Sequence, residues 1–119
     1  MRDGWPRYAL ERYSLLKKWR DLVDIVARAC KEVLSDECVG VYVVGGIAEG
    51  RPTVLSDIDV VVVVSNAGLK SLEAIIALRR RSEELGVPID APIDIKILTK
   101  EEFKKLIDEG TYRKTLKVL

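Results

Sequence analysis

Two aspartates separated by a single residue, Asp57 and Asp59, stand ten residues beyond a pair of glycines, Gly45 and Gly46. On an extended chain that spacing sends both carboxylates to one side, about 6–7 Å apart. Two anions so close at the mouth of an apolar strand repel each other and are poorly solvated, and a divalent cation between them relieves both problems. The glycines contribute differently. They reach backbone conformations closed to other residues, and a turn without side chains lets a ligand's phosphates approach main-chain N–H groups. This order suits a nucleoside triphosphate with its magnesium. Gly45 and Gly46 form the phosphate-binding turn, while Asp57 and Asp59 are metal ligands for an in-line displacement. The competing reading is structural: an ordinary β-turn at the glycines, a cap at Asp57 and a surface acid at Asp59.

Strands must flank such a site. Residues 39–44 are β-branched and apolar and stop at Gly45, and residues 60–64 are all valine, so both read as buried strands. Ahead of them, residues 8–34 carry apolar side chains in three- and four-residue steps, including Leu10, Tyr13, Leu16, Trp19, Val26, Cys30 and Val33. That stripe predicts a long first helix broken near its start, with Trp5 and Pro6 as a lead-in that packs or frays. Residues 35–38 turn the chain into the first strand. A turn cluster at 65–68 precedes a second helical stripe over 69–85, closed by Gly86. Pro88 and Pro92 bracket an extended approach to a third strand at 93–98, and Thr99 with Glu102 makes a capping box for a short helix that Gly110 ends. Residues 112–119 carry no decisive pattern. The order helix, strand, strand, helix, strand, helix, in one domain spanning 1–119, implies an α+β fold with helices packed on one face of a small sheet.

In the third strand Ile93, Ile95 and Ile97 share one face and Asp94 and Lys96 the other. Asp94 therefore reaches the side of the Asp57 and Asp59 pair if the strands are neighbours. It is the candidate third carboxylate, placed to join the other two at a cation. The alternative is an Asp94–Lys96 pair on an exposed face. Asp90, between the two prolines, is the fallback. Arg51 and Lys96 can each contact phosphate or simply be solvated. Arg79-Arg80-Arg81 reads as a solvated helix face without assigned function.

Composition removes several classes. With 20 basic and 19 acidic residues the net charge is +1, so no global field draws nucleic acid or an anionic membrane, and long polymer substrates are disfavoured. The chain has no histidine, which excludes a histidine base, a Ser-His-Asp triad and His-ligated zinc within it. Cys30 and Cys38 match no zinc pattern and read as buried free thiols. A third of the residues are charged and valine and isoleucine abound, as in thermophiles, where a cytosolic disulfide would be less surprising. No apolar run reaches membrane-spanning length and no signal-peptide core is present, which predicts a cytoplasmic protein with no membrane partner.

Taken together, Val44-Gly45-Gly46, ten residues, and Asp57-Ile58-Asp59-Val60 resemble the signature of the DNA polymerase beta-like nucleotidyltransferase superfamily. Ala48-Glu49-Gly50-Arg51 and Ser56 resemble segments of its small stand-alone members, the minimal nucleotidyltransferases, and the similarity covers residues 39–98. The resemblance implies a mixed, mostly antiparallel palm sheet, a third acid in a strand like that of Asp94, and two Mg2+ ions. It also implies ATP as the substrate, whose AMP passes to a hydroxyl with release of pyrophosphate. Small relatives are commonly paired with a HEPN-domain partner in toxin–antitoxin modules, and some adenylylate a tyrosine of that partner. Gly46 departs from members with Ser there, whose hydroxyl reaches the terminal phosphates, and so offers a weaker grip on them. Two further readings stay open. One is a nucleotide-binding or protein-interaction module that neutralises its partner by contact alone. The other is an aminoglycoside-type modifier completed by another chain or by a homo-oligomer.

Overall fold

Six of the seven residues of one strand, Ile58–Val64, are buried, and a strand so apolar on both faces must lie between neighbours and beneath two covers. The computed structural model describes residues 4, 6–53 and 56–119 and puts this strand, β2, in the middle of a four-stranded sheet. β1 (Cys38–Val44) pairs with it antiparallel, and β3 (Ile93–Thr99) pairs with it parallel on the other side. A short β4 (Leu116–Lys117) runs antiparallel along the outer edge of β1, giving the order β3-β2-β1-β4. The tail without a decisive sequence pattern thus ends as an edge strand, where Val118 N–H donates to the Val41 carbonyl at 2.8 Å.

The helices are α1 (Arg7–Lys17), α2 (Trp19–Leu34), the single turn α3 (Gly45–Ala48), α4 (Leu72–Glu84) and α5 (Lys100–Asp108). The predicted first helix is two helices. They part at Lys18, with φ −97° and ψ 17°, well inside the stripe and not near its start. Trp5 lies outside the described residues. α2 and α4 cover one face of the sheet, where Leu22, Val23, Val26, Cys30 and Leu78 meet Val41, Val43, Val60 and Val62. Full burial of each such aliphatic side chain contributes about 1.5–3 kcal/mol. Ser71 caps α4 through Ala74 N–H, and Thr99 and Glu102 form the expected capping box of α5. On the opposite face Phe103 and Tyr112 join Tyr42, Val61, Val63 and Leu98, with Phe103 4.6 Å from the Tyr42 ring and 6.1 Å from that of Tyr112. This second cover is small and leaves one end of that face bare.

Two expectations change here. Arg79 is not a solvated charge. Its guanidinium donates to the carbonyls of Pro88, Ile89, Ala91 and Ile93 at 3.0–3.3 Å and pairs with Glu83, pinning the segment that feeds β3. The cysteines are not free thiols either: Cys30 and Cys38 form a disulfide with Cα atoms 6.0 Å apart. A turn of 3-10 helix, Ser35–Glu37, reverses the chain and brings the end of α2 beside the start of β1. Both sulfurs are buried. Replacing both cysteines with alanine is expected to lower stability by about 2–3 kcal/mol, the closure entropy of so short a loop. Thiol alkylation under denaturing, non-reducing conditions should find no reactive cysteine in the parent.

Candidate active site

The register of the sheet assembles the candidate residues. Val44 of β1 lies opposite Asp59 of β2, and Asp59 lies opposite Asp94 of β3. Opposed residues share a face, so Asp59 and Asp94 project together from the side away from α2 and α4, at the end that Phe103 and Tyr112 do not cover. Lys96 follows Asp94 on the same face. Thr111 and Tyr112 close one side of a depression of about 210 Å³ over Val44, Gly45, Asp59, Asp94 and Lys96. A larger cleft of about 420 Å³ lies between Tyr13, Leu16, Lys17, Trp19, Ile47, Pro52 and Thr53. It contains no carboxylate, and the acids rather than its size locate the chemistry.

Gly45 leaves β1 with φ +74°, a left-handed conformation that L side chains rarely adopt. It also lies against the Asp59 carboxylate, so closely that a β-carbon would collide with Oδ2. The glycine is required twice over. Gly46 is under neither constraint, since a β-carbon there would rest 3.5 Å from the Arg51 carbonyl oxygen in ordinary contact. After α3 the chain returns through Arg51, whose N–H donates to the Gly46 carbonyl at 2.8 Å. The Arg51 side chain pairs with Glu49 and is 70% exposed, so it does not join the acids. Ser56 Oγ accepts from Thr53 N–H at 2.8 Å, immediately before Asp57 at the entry to β2.

Asp57 has a partner that sequence reasoning missed. Arg12 of α1 donates through Nη2 to Asp57 Oδ1 at 2.6 Å and to the Ser56 carbonyl at 3.0 Å. No local pattern marks Arg12 among the charges of its helix. Asp90 lies exposed in the turn before β3, off the sheet face. Burial, followed by the carboxylates of Asp94 and Asp57, holds the Asp59 carboxyl above the ordinary aspartate range, with Lys96 pulling the other way. An Asp59 carboxylate within the fields of both Asp57 and Asp94 suits a hard divalent cation, which prefers oxygen ligands and cancels such repulsion. Among the described residues, however, no three acids already stand as a ligand cluster. Asp59 and Asp94 share a register while Asp57 is held by Arg12.

Comparison with known proteins identifies the family of the chain. Residues 23–117 match the profile of the nucleotidyltransferase domain family. A candidate nucleotidyltransferase from Sulfolobus solfataricus is 19% identical, with 97% of this chain and 89% of that one covered and a TM-score of 0.48. A second solved structure, also a candidate nucleotidyltransferase, is 25% identical over 76% of this chain and 89% of its own, with a TM-score of 0.50. No curated protein matches significantly.

The two glycines should respond oppositely to alanine. Gly45→Ala is expected to cost about 2 kcal/mol or more, from left-handed strain and the collision with Asp59. Gly46→Ala should be neutral or slightly stabilising, and urea titration of both variants separates them. Asp59 provides a pH signature in metal-free buffer. Its carboxyl is raised in the folded state, so ionisation penalises the fold above that raised value and has no effect below the unfolded value, about 4. Asp59→Asn should therefore melt above the parent at pH 7, with the gap closing as pH falls from the raised value to about 4 and absent below it. A variant less stable than the parent at pH 7 would contradict the assigned environment.

Proposed function

The chain belongs to the nucleotidyltransferase domain family and is a transferase acting on a nucleoside triphosphate, and we propose that it moves AMP from ATP to a hydroxyl of a protein partner. The observation that carries this reading is the placement of Asp59 and Asp94 in register at the uncovered end of one sheet face, with a side-chain-free Gly45 packed against the first of them. In this reading Gly45 and Gly46 bind phosphate through the backbone, and Asp57, Asp59 and Asp94 hold magnesium. Bound there, two magnesium ions would neutralise charge on the triphosphate and on the attacking and leaving oxygens. Asp94, the most exposed of the strand acids, faces an incoming hydroxyl, orients it and accepts its proton. Lys96, on the same face, offsets the charge of the phosphate being transferred. Tyr112 walls the depression and limits water beside it.

The acceptor is proposed to be a HEPN-domain protein, the usual partner of the small stand-alone proteins that the motif resembles, with the reaction running in the cytoplasm. Exposed apolar side chains support docking of a protein: Leu72 and Ile76, one turn apart on α4, and Ile89 in the turn ahead of β3. Among the described residues no helix is long and apolar enough to cross a membrane. A second reading, an interaction module that neutralises its partner by contact, is favoured by glycine standing at 46, which offers no hydroxyl, and by the hold of Arg12 on Asp57.

One set of measurements separates them. Calorimetry should show magnesium–ATP binding to the parent and at least tenfold weaker binding to Asp57→Asn with Asp59→Asn. Asp94→Asn should retain nucleotide and lose transfer. With α-labelled ATP and the partner, label should appear on a partner hydroxyl, a tyrosine, and be absent with Asp94→Asn. A partner silenced equally by parent and variant, with no label, would establish the interaction module instead. Transfer that survives in Asp94→Asn but is lost in Asp90→Asn would move the third role to Asp90.

A further inference from the structure

α1 lies outside the residues that match the family, yet it supplies a cation in direct contact with one of the candidate acids. Arg12 reaches from the middle of that helix to Asp57, 45 residues away, and its Nη2 also engages the Ser56 carbonyl. The two partners differ in exposure, the Arg12 side chain being 29% exposed and that of Asp57 54%. The contact is charge-assisted and short, 2.6 Å, and the second bond to the Ser56 carbonyl fixes the guanidinium beside Asp57. Arg51, much nearer in sequence, is committed to Glu49 and does not compete. Asp57 is also the acid that stands apart: Asp59 and Asp94 share a register across β2 and β3, while Asp57 precedes β2 and is taken by α1.

We propose that Arg12 is an exchangeable counter-ion for Asp57, occupying the carboxylate when no divalent cation is bound and having to withdraw when one is. A cation that bound the other carboxylate oxygen would still face the guanidinium across one side chain, and like charges at that separation repel. Completion of the cation site is therefore coupled to movement of the Arg12 side chain away from the loop before β2. Arg12 is a positioning residue that sets how tightly the site takes a metal. The inference rests on the reading of Asp57 as a cation ligand.

The test uses Mn2+ alone, without nucleotide, followed by calorimetry and by loss of the free-ion paramagnetic signal. Arg12→Gln is expected to bind Mn2+ about two- to fivefold more tightly than the parent, the range that displacing a solvent-screened ion pair allows. Arg12→Lys, which keeps the charge but loses the fork, should fall between them. Tighter binding distinguishes this role from a structural one, since mere loosening of α1 would leave affinity unchanged or weaken it. If Arg12→Gln fails to fold, Arg12→Lys alone decides the matter, and affinity equal to or below the parent's overturns the proposal. Parent binding that is lost in Asp59→Asn but unchanged in Arg12→Gln would leave the metal site standing and remove the counter-ion. No binding of Mn2+ or magnesium–ATP to any form would dispose of the site and the counter-ion together.

Discussion

Burial of β2 on both faces governs the rest of the molecule. A strand whose middle is valine on each side cannot hold a charge there, so its acids are confined to the end where a cover stops. On the α2 and α4 side the cover is continuous, and no acid of β2 points that way. On the other side Phe103 and Tyr112 shield Val61 and Val63 but not Asp59. The candidate site is where the second layer runs out. The parallel pairing with β3 then sets Asp94 directly opposite Asp59, an arrangement of like charges that costs free energy in a sheet and is relieved by a ligand of opposite charge.

What could be read from sequence was local. The valine run, the glycine pair, the alternation in β3 and the capping box at Thr99 each depend on neighbours within a few residues, and each appears where its pattern puts it. The face shared by Asp59 and Asp94 was legible too, because alternation fixed the faces and only strand adjacency had to be supplied. What escaped depends on tertiary approach. Arg12 meets Asp57 across 45 residues, and nothing in a helical stripe distinguishes it from Arg7 or Arg20. The tail joins β1 because an edge was free to be paired. The Lys18 break falls within an unbroken apolar stripe, so periodicity gave no warning of it.

Charge behaves in the same way. A net charge of +1 describes the chain but not the site, where three acids face two cations drawn from different elements. Arg79 has the complementary lesson. One of three consecutive arginines is consumed by the carbonyls of the segment ahead of β3, and so helps fix where Asp94 begins its strand. Its neighbour Arg81 pairs with Glu32 and Glu84. A run of identical residues thus contains distinct jobs, separated only by which way the helix turns each one.

The contact between Gly45 and Asp59 makes the two positions unequal as records of descent. A lineage that lost the carboxylate would relieve the collision at position 45 but not its left-handed backbone, so selection for folding alone would keep the glycine. The turn would then outlive the chemistry it serves. Among descendants of this chain, the pair formed by positions 59 and 94 would track activity, while glycine at 45 would persist in active and silent copies alike.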